Sequence, residues 1–307
     1  MPTAIAQDSK PNLSPDSTVF DTKPPVVDLP AGVNLKEFLI GRQHAAGRLN
    51  WMNAGERSES LVFEYAHPNI PKQVFRWTGW VGNIGSHQAQ LPEIVSGFKA
   101  SDGFHLFSGT QIRSLENGAV IPTIQDVPIA VRKLNPNSVL IGIIPKMEET
   151  PLLRQDLGVV IDVNQEAGFY STVSDDQDLG IVMQPDVNNA SQRVDEIKES
   201  RRQCQRLVQK GWPATLIVFG GTPTKDSDIK LRSVEQEIVW WAEDARKNPE
   251  ANINIIILKG SGGVADLYAN NTEWLKQNPK VKVVDLDASK IKAVLKELNL
   301  SSREALS

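Results

Sequence analysis

Short runs of β-branched and apolar residues, most of them closed by glycine or proline and several followed by a helical pattern, restrict this sequence more than any other feature. Phe104–Phe107, Val139–Ile144, Gly158–Asp162, Ala214–Phe219, Ile253–Leu258 and Val281–Asp285 are such runs. Their lack of strict alternation is typical of parallel strands covered on both faces. Between them, apolar residues recur at helical spacing: Val194, Ile197, Cys204 and Val208 within 190–210, and Leu231, Val234, Ile238, Trp241 and Ala245 within 229–247. Ile291, Val294, Leu295 and Leu298 mark a final helix, and Asp126-Val-Pro128 reads as an N-cap followed by a first-turn proline. Strand and helix alternating in this way imply βαβ units, hence an α/β fold built on a mostly parallel sheet with helices on both faces.

The first hundred residues read differently. Residues 1–30 hold six prolines and Phe20 as the only aromatic, too little apolar surface to offset the entropy of ordering, so a flexible tail is expected over 1–32. The segment lacks the charged start and apolar stretch of a secretory signal. An accessory N-terminal segment follows over 33–94. In it Ser60–Tyr65 and Gln73–Trp77 have the alternation of short strands and could form a hairpin, with the glycine- and tryptophan-rich stretch 77–85 as a semi-exposed loop. The main domain is expected over 95–300.

Composition excludes several classes of function. Of 307 residues, 33 are Lys or Arg and 37 Asp or Glu, a net charge of −4 that argues against a general nucleic-acid binder. No run of eighteen apolar residues offers a membrane-spanning helix. One cysteine, Cys204, rules out a disulfide framework, and His44, His67, His87 and His105 show no metal-ligand spacing. No metal and no cofactor are expected, and the chain reads as cytoplasmic.

Three of the apolar runs stop at glycine-containing, hydroxyl-rich turns: Ser108-Gly109-Thr110, Gly220-Gly221-Thr222 and Gly260-Ser261-Gly262-Gly263. In an open α/β sheet, ligands bind beyond the carboxyl ends of the strands, where such turns gather. Glycine lets backbone approach a ligand, and a helix start offers unpaired N–H groups. The third turn is the best placed, because Val264-Ala265-Asp266 follows it as a helix start; Asp266 could be a catalytic acid there, with capping the helix start or fixing the turn the expected role. Neither GxxxxGK[ST] nor a complete GxGxxG is present.

The heptapeptide Gly260-Ser-Gly-Gly-Val-Ala-Asp266 resembles the GSGxxAD turn of the SLOG superfamily, in the prokaryotic LSDAT branch related to the N-terminal homology region of TRPM channels. Phe107-Ser-Gly-Thr110, the helix over Ile124–Leu134 with Leu140–Pro145, and Leu216–Gly221 resemble further motifs of that family in the same order. The resemblance spans about 95–288. It implies a Rossmann-like fold and a binding or sensing role toward a nucleotide-derived small molecule such as ADP-ribose, held by the three turns and Asp266. The family's turn commonly has arginine where Gly263 stands; Lys259, Lys225 or Arg113 could supply that charge. The polar stretch 220–232 could form a lid.

The superfamily also includes phosphoribohydrolases, which makes N-glycosidic hydrolysis of a nucleotide the alternative; a non-catalytic assembly module is a third. The enzyme signature is incomplete here, since Gly220-Gly221-Thr222 lacks a glutamate three residues on. Glu235 and Glu237 read as a solvated helix face. His105 reads as a satisfied strand histidine, Cys204 as a buried inert thiol, and Arg201 as snorkelling outward or reaching a carboxylate or ligand. The run Asp175-Asp176-Gln-Asp178 reads as a solvated turn. The tandem Trp240-Trp241 could serve a homo-oligomer, and a sensor would need a separate effector protein.

Overall fold

The computed structural model describes residues 50–53, 71–79, 88–114, 116–135, 138–144, 153–154, 158–164, 169–173, 179–182, 192–225 and 231–300. The expected tail, the strand expected over 60–65, the loop residues 80–87 and the acidic run 175–178 lie outside them.

Among the described residues, twelve strands form two sheets. The larger has eight strands in the order β1-β9-β5-β3-β2-β10-β11-β12, every neighbouring pair parallel. They are β1 (Asn50–Asn53), β2 (Val74–Gly79), β3 (Gly103–Ser108), β5 (Ser138–Ile144), β9 (Leu179–Val182), β10 (Ala214–Phe219), β11 (Ile253–Lys259) and β12 (Val281–Asp285). The smaller sheet is antiparallel, in the order β4-β8-β7-β6, from β4 (Thr110–Ser114), β6 (Leu153–Arg154), β7 (Gly158–Asn164) and β8 (Phe169–Val173).

Helices cover both faces of the large sheet. On one lie α3 (Gln192–Gln209), α4 (Ser233–Lys247) and the short α5 (Gly263–Ala269), followed by α6 (Thr272–Gln277). Their Cys204, Leu207, Val234, Ile238, Trp241 and Tyr268 pack with Val74, Leu106, Leu216 and Ile255 of the strands. On the other lie α1 (Leu91–Phe98), α2 (Asp126–Leu134) and α7 (Ala288–Glu297). There Ile94, Phe98, Val127, Ile291 and Leu295 meet Phe75, Trp77, Phe107, Ile217 and Leu258. Adjacent strand residues thus enter opposite cores, which is why the runs read as continuously apolar. No described helix is long and apolar enough to cross a membrane.

Several expectations change. The strand expected in an accessory hairpin is β2, the central strand, paired parallel with β3 and β10. Trp77, expected in a semi-exposed loop, is fully buried within it. The Gly158 run is β7, antiparallel in the second sheet, because a hairpin partner, β8, follows without a crossover. Asp126 is the first helical residue of α2, not its N-cap, which is Gln125. Its carboxylate still closes the helix start, accepting from the Thr123 amide (2.7 Å) and hydroxyl (3.1 Å).

The histidine of β3 is fully buried and satisfied. The Trp77 indole N–H donates to His105 Nδ1 at 3.0 Å, leaving the ring proton on Nε2, which faces the Ser101 carbonyl at 3.1 Å. Burial lowers its pKa to about 4, an effect the Ser101 carbonyl opposes and Arg132 reinforces. An unfolded histidine titrates near ~6.5, so between these values the unfolded chain binds the extra proton. Folding stability should therefore fall as pH drops from 6.5 toward 4, by about 2–3 kcal/mol at pH 4.5, and level off below. Urea midpoints at pH 7 and pH 4.5 check this, since His105→Gln should lose that part of the pH dependence; equal slopes in both proteins would count against it.

Candidate functional site

The parallel strands deliver all three glycine turns to one edge of the sheet. From β2 the chain steps to β3 and then β5 in one direction. It later returns through α3 to β10 on the other side of β2 and continues to β11 and β12. Strand order therefore reverses between β2 and β10, and such a reversal opens a crevice at the carboxyl ends. The turns after β10 and β11 are on neighbouring strands. The Ser108 turn is two strands from Gly220, about 10 Å away at the usual strand spacing.

The β10 and β11 turns interlock. The Ser261 hydroxyl, fully buried, donates to the Leu258 carbonyl (2.6 Å) and accepts from the Gly220 amide (2.8 Å). At the start of α5 the Val264 and Ala265 amides donate to the carbonyls of Gly221 (3.0 Å) and Gly220 (2.9 Å). Gly220, Gly221, Gly260, Gly262 and Gly263 all have positive φ, the region open to glycine at no steric cost. A Cβ on Gly263 would lie 1.9 Å from the Gly221 oxygen. That contact, on backbone, leaves room for no side chain at this position.

Asp266 ties down the turn that precedes it. Its carboxylate accepts from the amides of Gly260 (2.6 Å) and Gly262 (3.2 Å). The Gly262 amide is thus already engaged by an anionic side chain. The amides of Gly221, Thr222 and Gly263 meet no acceptor among the described residues. Thr222 and Gly263 are exposed.

The first turn leads into a strand, unlike the third, which leads into a helix. Ser108-Gly109-Thr110 passes directly into β4, so it hinges the parallel sheet to the antiparallel one. The Ser108 amide donates to Gln125 Oε1 (2.8 Å), Ser108 and Thr110 share a hydroxyl contact of 3.0 Å, and the Gly109 amide donates to the Ile143 carbonyl. Of the three substitute cations, Arg113 is held within its own hairpin by Gly118 O (3.1 Å) and Gln111 Oε1 (2.8 Å). Lys225 and Lys259 are exposed.

Glu235 and Glu237 are not a solvated face: they are 8% and 0% exposed. Both lie on the side of α4 that packs against the sheet and α5, while Glu243 on the outer side of the helix is 41% exposed. Glu235 accepts from the Thr224 amide (3.1 Å), the Thr224 hydroxyl and the Tyr268 hydroxyl (3.3 Å). Burial, and then the Glu235 charge and hydrogen bond, push the Tyr268 phenol well above its ordinary value. Glu237 pairs with Arg76 of β2 through Nε–Oε1 (2.8 Å) and Nη2–Oε2 (3.4 Å). Thr224, Tyr268 and Arg76 carried no signal in the sequence; an acidic residue in the first turn of α4 was the one local hint.

The remaining residues have structural partners. Arg201 makes a two-pronged pair with Asp244 of α4 (2.7 and 2.6 Å) and lies over the Trp240 ring at 5.3 Å. Trp241 is in the core. Cys204 is buried, and burial raises its thiol pKa far above the ordinary range, a state without thiolate reactivity at neutral pH. Among the described residues no three His, Cys, Asp or Glu side chains cluster to hold a metal.

No family model and no curated protein matches the chain. Among solved structures, it is similar to two of the molybdenum cofactor carrier protein of Chlamydomonas reinhardtii, each at 13% sequence identity. The TM-scores are 0.39 and 0.41, with 74% of this chain covered in both and 97% and 98% of the other chains. At that distance the likeness assigns neither ligand nor activity.

Proposed function

We propose that this chain binds a small anionic ligand derived from a nucleotide, with ADP-ribose the first candidate, at the carboxyl edge of its parallel sheet. The observation that carries the reading is the interlocked pair of glycine turns beside the strand-order reversal, which leaves the Gly221, Thr222 and Gly263 amides without acceptors. Amides in that setting are suited to a phosphate. The Ser108–Thr110 turn, about 10 Å from Gly220, is at a distance suited to a ribose or a second phosphate. The resemblance to SLOG proteins supports the nucleotide part of the reading.

The test is a thermal-shift panel of ADP-ribose, NAD, AMP and GMP, with each mixture then separated by chromatography. At about a hundredfold excess over Kd, a bound ligand should raise Tm by about 4–8 °C and be recovered intact. Thr222→Trp should abolish the shift with the fold preserved, because Thr222 is exposed. It is a cleaner probe than a bulky residue at Gly262, whose φ of 79° would strain any side chain. A released base would instead establish N-glycosidic hydrolysis, and no shift with any nucleotide would refute the reading.

A further inference from the structure

We propose that Glu235 is the positioning residue of this site, holding the Thr222–Lys225 segment in the one conformation that presents the Gly221 and Thr222 amides. The statement about the amides rests on the function proposed above; the statement about the segment does not.

The segment is anchored at both ends. At its start, the carbonyls of Gly220 and Gly221 are held by the first amides of α5. Beyond Gly221 the hold passes to Thr224. Its amide and hydroxyl both donate to Glu235, and its hydroxyl oxygen accepts from the Arg232 amide at 2.9 Å. Thr224 is thus a clasp between the segment, the residue preceding α4 and the first turn of α4.

Glu235 also receives the Tyr268 hydroxyl of α5. One nearly buried carboxylate therefore gathers donors from the segment and from the helix that follows the third glycine turn. All its partners are neutral: two hydroxyls and one amide, with no cation among them. Hydrogen bonds to an ionised acceptor are roughly twice as strong as neutral ones, and a buried donor left without an acceptor is costly. A carboxamide of the same shape presents one oxygen and a competing donor, so it cannot satisfy all three.

Hydrogen exchange of individual amides in the full chain tests this without a ligand. In Glu235→Gln, exchange at Thr224 and Arg232 should accelerate about ten- to hundredfold. The β10 and β11 amides should keep their protection, which separates loss of the clasp from general destabilisation. Thr224→Val should reproduce the effect at Arg232, and Thr224→Ser should restore it. With ADP-ribose as probe, Glu235→Gln and Thr224→Val should lose most of the thermal shift while Thr224→Ser keeps it.

Unchanged exchange at Thr224 and Arg232 in Glu235→Gln would overturn the proposal, as would equal behaviour of the valine and serine variants. Faster exchange with an undiminished ADP-ribose shift would overturn the link to the amides. If the wild type responds to no nucleotide, the reading of the site fails, and the exchange rates alone decide whether Glu235 holds the segment.

Discussion

Glu237→Ala is expected to cost about 3–5 kcal/mol of folding stability, the usual penalty for removing one partner of a buried ion pair. Arg76 is 2% exposed and Glu237 0%, and the guanidinium meets both carboxylate oxygens. Truncation leaves the arginine charge inside the sheet–helix core, away from water. The surface pair Lys276–Glu273 has the same short distance, 2.8 Å, yet its side chains are 71% and 75% exposed. Its removal should change stability by less than about 1 kcal/mol, because solvent screens it. Urea unfolding midpoints of Glu237→Ala and Glu273→Ala give the comparison. The double replacement Arg76→Met with Glu237→Leu should recover much of the loss, since no charge then stays buried. Equal effects at Glu237 and Glu273 would mean that the inner pair is hydrated.

Gly263→Ala should be the second large effect, about 2–5 kcal/mol, and unlike the first it should act on the site. The new methyl would stand 1.9 Å from the Gly221 carbonyl oxygen, on backbone rather than on a side chain that can turn away. A φ of 55° adds the left-handed strain of a non-glycine residue, roughly 1–2 kcal/mol, and relieving the overlap adds about 1–3 kcal/mol. Relief requires the two turns to separate, which breaks the bonds from Val264 and Ala265 to Gly221 and Gly220. Amide exchange should show lost protection at Val264 and Ala265, alongside the lower midpoint. Gly211→Ala is the control: its φ of 81° carries the same kind of strain, but no atom lies within 4 Å of the added methyl. It should cost only the backbone strain. Matching losses at the two glycines would show that the interlock contributes nothing.

Of the described strands of the large sheet after residue 100, all but β9 (Leu179–Val182) were legible, because their signal is local. Val139–Ile144, Ala214–Phe219 and Ile253–Leu258 are short, β-branched and punctuated, and each is a strand in the structure. The glycine turns were legible for the same reason, as breaks at strand ends. The Gly158 run carried the same local signal yet joined the other sheet, because strand composition does not name the partner. For β2, Gln73–Trp77 read correctly as a strand and wrongly as a hairpin, since its neighbours β3 and β10 begin about thirty and one hundred and forty residues away.

The site was legible as a set of loops and not as an arrangement. The sequence leaves Asp266 as catalytic acid, helix cap or turn-fixing residue, and the structure shows which amides its carboxylate takes. Charge alone placed Glu235 and Glu237 in solvent, because an exposed helix face is where such residues usually lie. Both lie instead where α4 meets other elements, and their partners come from elsewhere in the chain.

By itself, then, the sequence determined the α/β class, the helices on both faces and the glycine turns, since each follows from periodicity and backbone preference within a dozen residues. Only the tertiary structure decided that β2 is central, that the β10 and β11 turns lock together, and which amides remain open. It alone decided that Glu237 pairs with a residue 161 positions away. Those outcomes depend on which distant surfaces come to exclude water from one another, and a burial shared between remote segments leaves no periodic trace in either.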